Sequence, residues 1–308
     1  MCRVLAYSGP PVILEDLLFK PDSSLIRQAY APRQLHKLNL GGFGMLAWDD
    51  ASADPDLPWD YRSTNLPVFD GNLHALARKA RASCLLAHVR GIPYRVNSGF
   101  GTHNLHPFRF PGSRWAMAHN GDLYAHDRLK PDLLQYLSPT VLTNLRGTTD
   151  SETVYAMVTS LLGNRADDAS PDELLQALCE CLRLLGNARR RMGIDRNSAL
   201  NLFFSDGQSI LALRYTFDFG CYDTDRPTSV HESNLGYLSL WYTVGERYQV
   251  HKNEFRMTGR ADQCGAFLLA SEPLTRDTTG WVEVPEYTAL MVTGEGDDRH
   301  ILTADIDV

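Results

Sequence analysis

No apolar stretch of this chain approaches the roughly 18–20 residues that a membrane-spanning helix needs, so a helical membrane protein is not expected. The apolar start is interrupted by Glu15 and Asp16, which argues against a secretory leader. Basic residues are not in excess: 30 Lys and Arg stand against 37 Asp and Glu, a net charge of -7. A general nucleic-acid binder needs a basic face, so that class is set aside. Cysteine is sparse, with six at 2, 84, 179, 181, 221 and 264 and no repeated spacing. Reduced thiols and a cytoplasmic location follow as expectations. Cys179 and Cys181 sit two apart in a helical pattern and point to different faces, so packing is the better reading than metal binding. A phosphate-cradling loop is also missing, because Gly41-Gly42-Phe43-Gly44 lacks the spacing and the Lys-Ser/Thr of a P-loop. There is no internal repeat and no low-complexity tail.

What remains is an ordinary globular composition, 44% hydrophobic and 22% charged over 308 residues. Apolar runs rich in β-branched and aromatic residues predict strands over Arg3–Tyr7, Phe43–Trp48, Cys84–Val89, Trp115–Ala118 and Leu200–Phe204. Further strands are predicted over Ile210–Tyr215, Tyr237–Val244, Ala266–Ala270 and Thr288–Val292. Most are apolar on consecutive positions, which predicts sheets covered on both faces. Ser205-Asp206-Gly207-Gln208 reads as a hairpin turn. Helical patterns cover Asn72–Ala82, Thr153–Leu162 behind a capping box at Thr149–Glu152, and Pro171–Met192. The Asp- and Pro-rich segment Asp49–Pro67 reads as a long loop.

The second residue carries the most chemistry. Removal of Met1 would make Cys2 N-terminal, joining a thiol nucleophile to an α-amine that is partly neutral near pH 7. Three polar segments at element ends can complete such a site. His88-Val89-Arg90 offers a guanidinium able to pair bidentately with a carboxylate, or to make a surface salt bridge. His119-Asn120-Gly121 is either a plain turn or an amide and a backbone N–H for an oxyanion. Thr149-Asp150-Ser151-Glu152 is a helix start in which Asp150 serves the helix dipole or holds a substrate ammonium. His103-x-x-His106 is poor evidence for zinc, and neither a metal nor an organic cofactor is expected.

In order, MCR, HVR, NLHPF (Asn104–Phe108), HNG, TDSE and ASEPLT (Ala270–Thr275) resemble the class II glutamine amidotransferases of the N-terminal-nucleophile hydrolase superfamily, and most closely their stand-alone members. The resemblance implies a four-layer αββα sandwich in which two mostly antiparallel sheets lie between helical layers. It also implies a single domain over residues 2–308 with a strand-rich C-terminal extension. It assigns Cys2 as nucleophile, Asn120 and Gly121 as oxyanion hole, Arg90 to the α-carboxylate and Asp150 to the α-ammonium of a glutaminyl group. His106 and His119 are expected to organise the substrate pocket or the core. The implied reaction is cleavage of a γ-glutamyl amide through a γ-glutamyl thioester. The implied partner is a small γ-glutamyl substrate, with an enzyme subunit or a second copy of the chain as possible protein partners. A glutaminase subunit feeding ammonia to a separate synthase and a non-catalytic scaffold are the alternative functions.

Two departures from the family pattern fall near the expected pocket. The family's N-x-D-G-F-G reads Asn39-Leu40-Gly41-Gly42-Phe43-Gly44 here, without the carboxylate. After Arg90, a small polar stretch ending in Thr is replaced by Gly91-Ile92-Pro93-Tyr94. The nucleophile, oxyanion and zwitterion positions are intact, so the altered feature expected is the leaving group.

Overall fold

The computed structural model describes residues 2–34, 38–92, 101–221, 238–260, 263–294 and 296–308. Two antiparallel sheets form its centre. The larger contains β1 (Arg3–Ile13), β2 (Phe43–Trp48), β3 (Trp59–Ser63), β4 (Arg81–Val89), β8 (Trp241–Gly245), β11 (Ala266–Ala270) and β12 (Val282–Glu283). Its order is β12-β8-β11-β1-β4-β2-β3. The smaller contains β5 (Ala116–Asp122), β6 (Ser198–Ser205), β7 (Ile210–Phe217), β13 (Thr288–Thr293) and β14 (His300–Asp305), in the order β14-β13-β7-β6-β5. A separate ribbon pairs β9 (Arg247–His251) with β10 (Glu254–Thr258).

Strand alternation explains why the apolar runs are continuous. In β1, Val4 and Ala6 face the second sheet while Leu5 and Tyr7 face outward, and all four are buried. In β5, Ala116 and Ala118 join the inter-sheet core while Met117 joins the outer one. The outer face of the larger sheet is covered by α1 (Leu14–Leu18), α2 (Leu25–Gln28) and α3 (Gly71–Ala77). The smaller sheet is covered by α4 (His126–Leu133), α5 (Pro139–Leu142), α6 (Asp150–Leu162) and α7 (Pro171–Arg191). The result is the expected four-layer αββα sandwich. Its C-terminal strands are divided between the sheets, with β11 beside β1 and β13 beside β7. No described helix is long and apolar enough to cross a membrane.

Several local expectations change. The helix expected over Asn72–Ala82 ends at Ala77, because Arg81 and Ala82 pair with Ile13 and Val12 in the sheet. Its start is set by Asp70, whose Oδ1 accepts the N–H groups of Asn72 and Leu73. The segment Asp49–Pro67 contains strand β3, paired with β2 as Met45 opposite Tyr61. Its solvated sheet-edge position removes the need for an apolar run. Tyr237, Pro93 and Tyr94 lie outside the described residues. At the start of α6, Thr149 accepts the N–H of Glu152, but Glu152 reaches back to the N–H groups of Arg146 and Gly147. A reciprocal capping box forms instead at α7, between Ser170 and Glu173.

Candidate active site

The register of β1 brings the predicted residues together at one end of the sandwich. Arg3 pairs with Val89, so Cys2 and Arg90 are the next positions outward on neighbouring strands. Inward-facing Val4, Leu86, Ala118 and Leu269 set the alternation of their strands. The same alternation directs Cys2, Arg90, Asn120 and Ser271 between the sheets at this end. Cys2 is buried, at 8% exposure. Ser271, one residue beyond β11, binds both sheets: its Oγ accepts the Val4 N–H at 3.0 Å and the Asn120 Nδ2–H at 3.3 Å. Its own N–H donates to the Val4 carbonyl at 3.0 Å. Asn120 is fully buried, and its Oδ1 has no hydrogen-bond partner among the described residues.

Gly121 is required by space. A Cβ there would lie 1.9 Å from the Ala199 carbonyl oxygen on β6. Beyond β5, the Asp150 carboxylate accepts the Leu123 N–H at 2.7 Å and the Ser151 N–H at 2.8 Å. These bonds fix it at the first turn of α6, where the helix dipole favours an anion. Burial lowers the Arg90 guanidinium from its usual value, and the Cys2 and Asp150 side chains oppose that shift. The Cys2 thiol, the Arg90 guanidinium and the Asp150 carboxylate therefore share one electrostatic neighbourhood.

Under Arg90 lies a layer of histidines. The His88 and His106 rings have centroids 4.1 Å apart, and His106 meets Phe108 edge-on at 4.6 Å. Neither ring nitrogen of His106 has a hydrogen-bond partner among the described residues. Burial, reinforced by Arg90, pushes His88 down to about 3, despite a favourable interaction with the His119 backbone. Burial, then His88, His119, Arg90 and Arg62, hold His106 well below its usual value. Both rings are neutral at pH 7. His119 donates from Nε2 to the Ala199 carbonyl at 3.1 Å, and its Nδ1 lies 2.8 Å from the Ser151 hydroxyl, which also reaches Asp150 Oδ1 at 3.2 Å. His106 and His119 thus stand in the wall behind the charged residues.

Two positions were not singled out from the sequence. Besides Ser271, Glu272 is 1% exposed and lies 3.7 Å from the fully buried Arg3. Its oxygens accept from the Ser23 hydroxyl and from the N–H groups of Arg33 and Gln34. Burial lowers the Arg3 guanidinium from its usual value, opposed by Glu272 and Cys2. The Ala270-Ser271-Glu272 motif marked this turn only as a likeness, and its position after an apolar strand was the available signal.

The departure at Gly41 has a structural counterpart. A Cβ on Gly41 would stand 2.6 Å from Cγ1 and 2.8 Å from Cδ1 of Ile92. Ile92 therefore occupies the space of a position-41 side chain, and the two departures form one packed unit. Among the described residues, no three His, Cys, Asp or Glu are grouped so that they could hold a metal ion.

The fold is a four-layer αββα sandwich that brings Cys2, Arg90, Asn120 and Asp150 to one end of its inter-sheet space. A family model of class II glutamine amidotransferases matches residues 65–306, and the chain belongs to that family. It is 26% identical over 310 residues to the probable glutamine amidotransferase DUG3 of Saccharomyces cerevisiae, covering 95% of this chain and 82% of that protein. It is 28% identical over 219 residues to the gamma-glutamyl-hercynylcysteine sulfoxide hydrolase of Mycolicibacterium smegmatis, covering 69% and 78%. A class II glutamine aminotransferase domain protein from Silicibacter pomeroyi superposes over the full length of both chains, with a TM-score of 0.59 at 23% identity.

Proposed function

We propose that this chain hydrolyses a γ-glutamyl amide through a thioester on Cys2 and acts in the cytoplasm. The observation that carries the reading is the convergence of Cys2, Arg90, Asn120 and Asp150 at one end of the inter-sheet space, with Arg90 in the field of both Cys2 and Asp150. Arg90 pairs with the substrate α-carboxylate and Asp150 with its α-ammonium. Met1 removal frees the α-amine of Cys2, which takes the thiol proton. Sγ then bonds to the γ-carbonyl carbon, and the oxyanion is met by Asn120 Nδ2–H and the Gly121 N–H. The C–N bond breaks as the α-ammonium returns its proton to the leaving amine. Water adds to the thioester, releasing glutamate and restoring the thiol. His106 supports the pocket wall as a neutral ring, and His119 stands beside it, held by the Ala199 carbonyl and Ser151.

The Gly41–Ile92 unit supports a less polar leaving-group side than a family member with a carboxylate there. The test has two readings. Treatment with 6-diazo-5-oxonorleucine and intact-mass analysis should give one adduct, on Cys2, only in chains lacking Met1. Labelling of Cys84 or Cys264 with Cys2 unmodified overturns the mechanism. Glutamate release from γ-glutamyl peptides in preference to glutamine supports the leaving-group reading, and the reverse preference overturns it.

A further inference from the structure

A second cleft of ≈ 670 Å³ opens at the other end of the same strands. It lies past Ser8 on β1, Ser83 on β4 and the β6–β7 hairpin. Ser8 lies six positions along the chain from Cys2, about 20 Å of extended strand. The cleft is therefore distinct from the candidate active site.

Its charges are segregated by depth. Three guanidinium groups line it: Arg109, Arg114 and Arg299. Arg114 is neutralised by Asp206 at 2.6 Å, whose carboxylate also accepts the N–H groups of Gln208 and Ser209. The other two have no carboxylate partner among the described residues. Arg299 is 9% exposed, donates only to the Cys264 and Gly265 carbonyls, and has a buried Nε with no partner among the described residues. Arg109 makes no side-chain hydrogen bond or ion pair with the described residues, and its Nε is also buried. The lining aspartates Asp50, Asp56 and Asp167 are exposed, with Asp50 accepting the Ser83 hydroxyl at 2.8 Å. The cleft thus holds one buried and one half-buried guanidinium inside an anionic, exposed rim.

We propose that this cleft is a second ligand site, taking a small zwitterion whose carboxylate is held by Arg109 and Arg299 while its ammonium faces the rim aspartates. A buried guanidinium without an anion is costly, and a planar carboxylate is the group it recognises best. The acidic rim disfavours inorganic phosphate and other ligands with excess negative charge. Free amino acids and short peptides both have the required charge pair.

Trp48 lines the cleft and supplies a local reporter. Protein labelled with 5-fluorotryptophan is titrated with glycine, glycylglycine, acetate, methylamine or phosphate and followed by ¹⁹F NMR, the Trp48 resonance being assigned with Trp48→Phe. Glycine or glycylglycine should shift that resonance saturably, with the better of the two revealing the charge separation the site prefers. Arg109→Gln, which breaks no described contact, should weaken binding by at least about 10-fold. Acetate and methylamine, each carrying half of the charge pair, should bind at least about 10-fold more weakly. A Trp48 resonance unmoved by both zwitterions overturns the site. Equal affinity in Arg109→Gln, or phosphate or acetate binding as tightly as the zwitterions, overturns its assigned chemistry.

Discussion

Replacing Ser271 by alanine tests whether one hydroxyl joins the strand of the proposed nucleophile to the proposed oxyanion donor. The substitution removes a single oxygen that accepts from Val4 N–H at 3.0 Å and from Asn120 Nδ2–H at 3.3 Å. Val4 is fully buried, so its N–H is left without a partner in a dry core, at a cost of about 1–3 kcal/mol in stability. The second consequence is kinetic. Asn120 Oδ1 already has no partner among the described residues, so the Ser271 bond is the described hydrogen bond that orients this side chain. Complete loss of an oxyanion donor costs about 10²–10³ in kcat. A donor that is present but unfixed should lose about 10–10² in kcat. Arg90 and Asp150 are untouched, so KM should move by less than about 3-fold.

Urea unfolding supplies the stability change, and glutamate release supplies kcat and KM. The decisive measurement is a double-mutant cycle with Asn120→Ala. If Ser271 acts through Asn120, the double variant loses no more activity than Asn120→Ala alone. A Ser271→Ala enzyme that is less stable but has kcat within about 2-fold of the parent refutes the coupling. So does a double variant in which the two losses multiply.

The histidine layer predicts acid sensitivity above the carboxylate range. Unfolded histidine protonates near pH 6.5, whereas folded His88 does so only near 3 and His106 well below its usual value. A depressed folded value means that the unfolded chain binds more protons, so stability is full above about pH 6.5 and falls as pH drops, by about 1.4 kcal/mol per unit for each ring. Unfolding free energies between pH 6.5 and 5 should show this slope, and His106→Gln should remove about half of it. Gly121→Ala places a Cβ 1.9 Å from a buried carbonyl and should prevent accumulation of folded protein, as read by circular dichroism and size exclusion. Gly41→Asp should destabilise the fold by about 1–3 kcal/mol through collision with Ile92, and adding Ile92→Ala should recover most of that loss in thermal unfolding.

The parts of the fold that were legible in the sequence are those buried on two faces. β2 and β11 have the boundaries expected from their apolar runs, because every residue in them is buried. β3, β12 and β14 were not legible. They lie at sheet edges, where solvated residues such as Asp60, Glu283 and Leu302 need not form an apolar run. The site divides similarly. Cys2, Arg90, Asn120, Gly121 and Asp150 were legible as polar or special residues placed where apolar elements begin or end. Ser271 was not, because a serine after a strand has the same local signature whether it faces water or binds Asn120 across two sheets. The Gly41–Ile92 contact joins residues 51 positions apart, and no local pattern encodes it.

The electrostatics of the site also account for the histidines beneath it. A γ-glutamyl group brings one carboxylate and one ammonium, so its proposed binding to Arg90 and Asp150 leaves the net charge of the pocket unchanged. That balance requires the wall behind Arg90 to carry no charge of its own. A protonated His88 or His106 would repel the Arg90 guanidinium and would be an unpaired charge in a dry interior, which is why burial and the guanidinium together hold both rings neutral. Asp150 meets the complementary demand. Two backbone N–H bonds fix its position at the start of α6 while its charge remains to meet an ammonium. A substrate lacking the α-ammonium would bury that carboxylate without a cation, and one lacking the α-carboxylate would leave Arg90 unpaired. In the proposed reaction, Arg90 and Asp150 therefore select against amides that lack either charge.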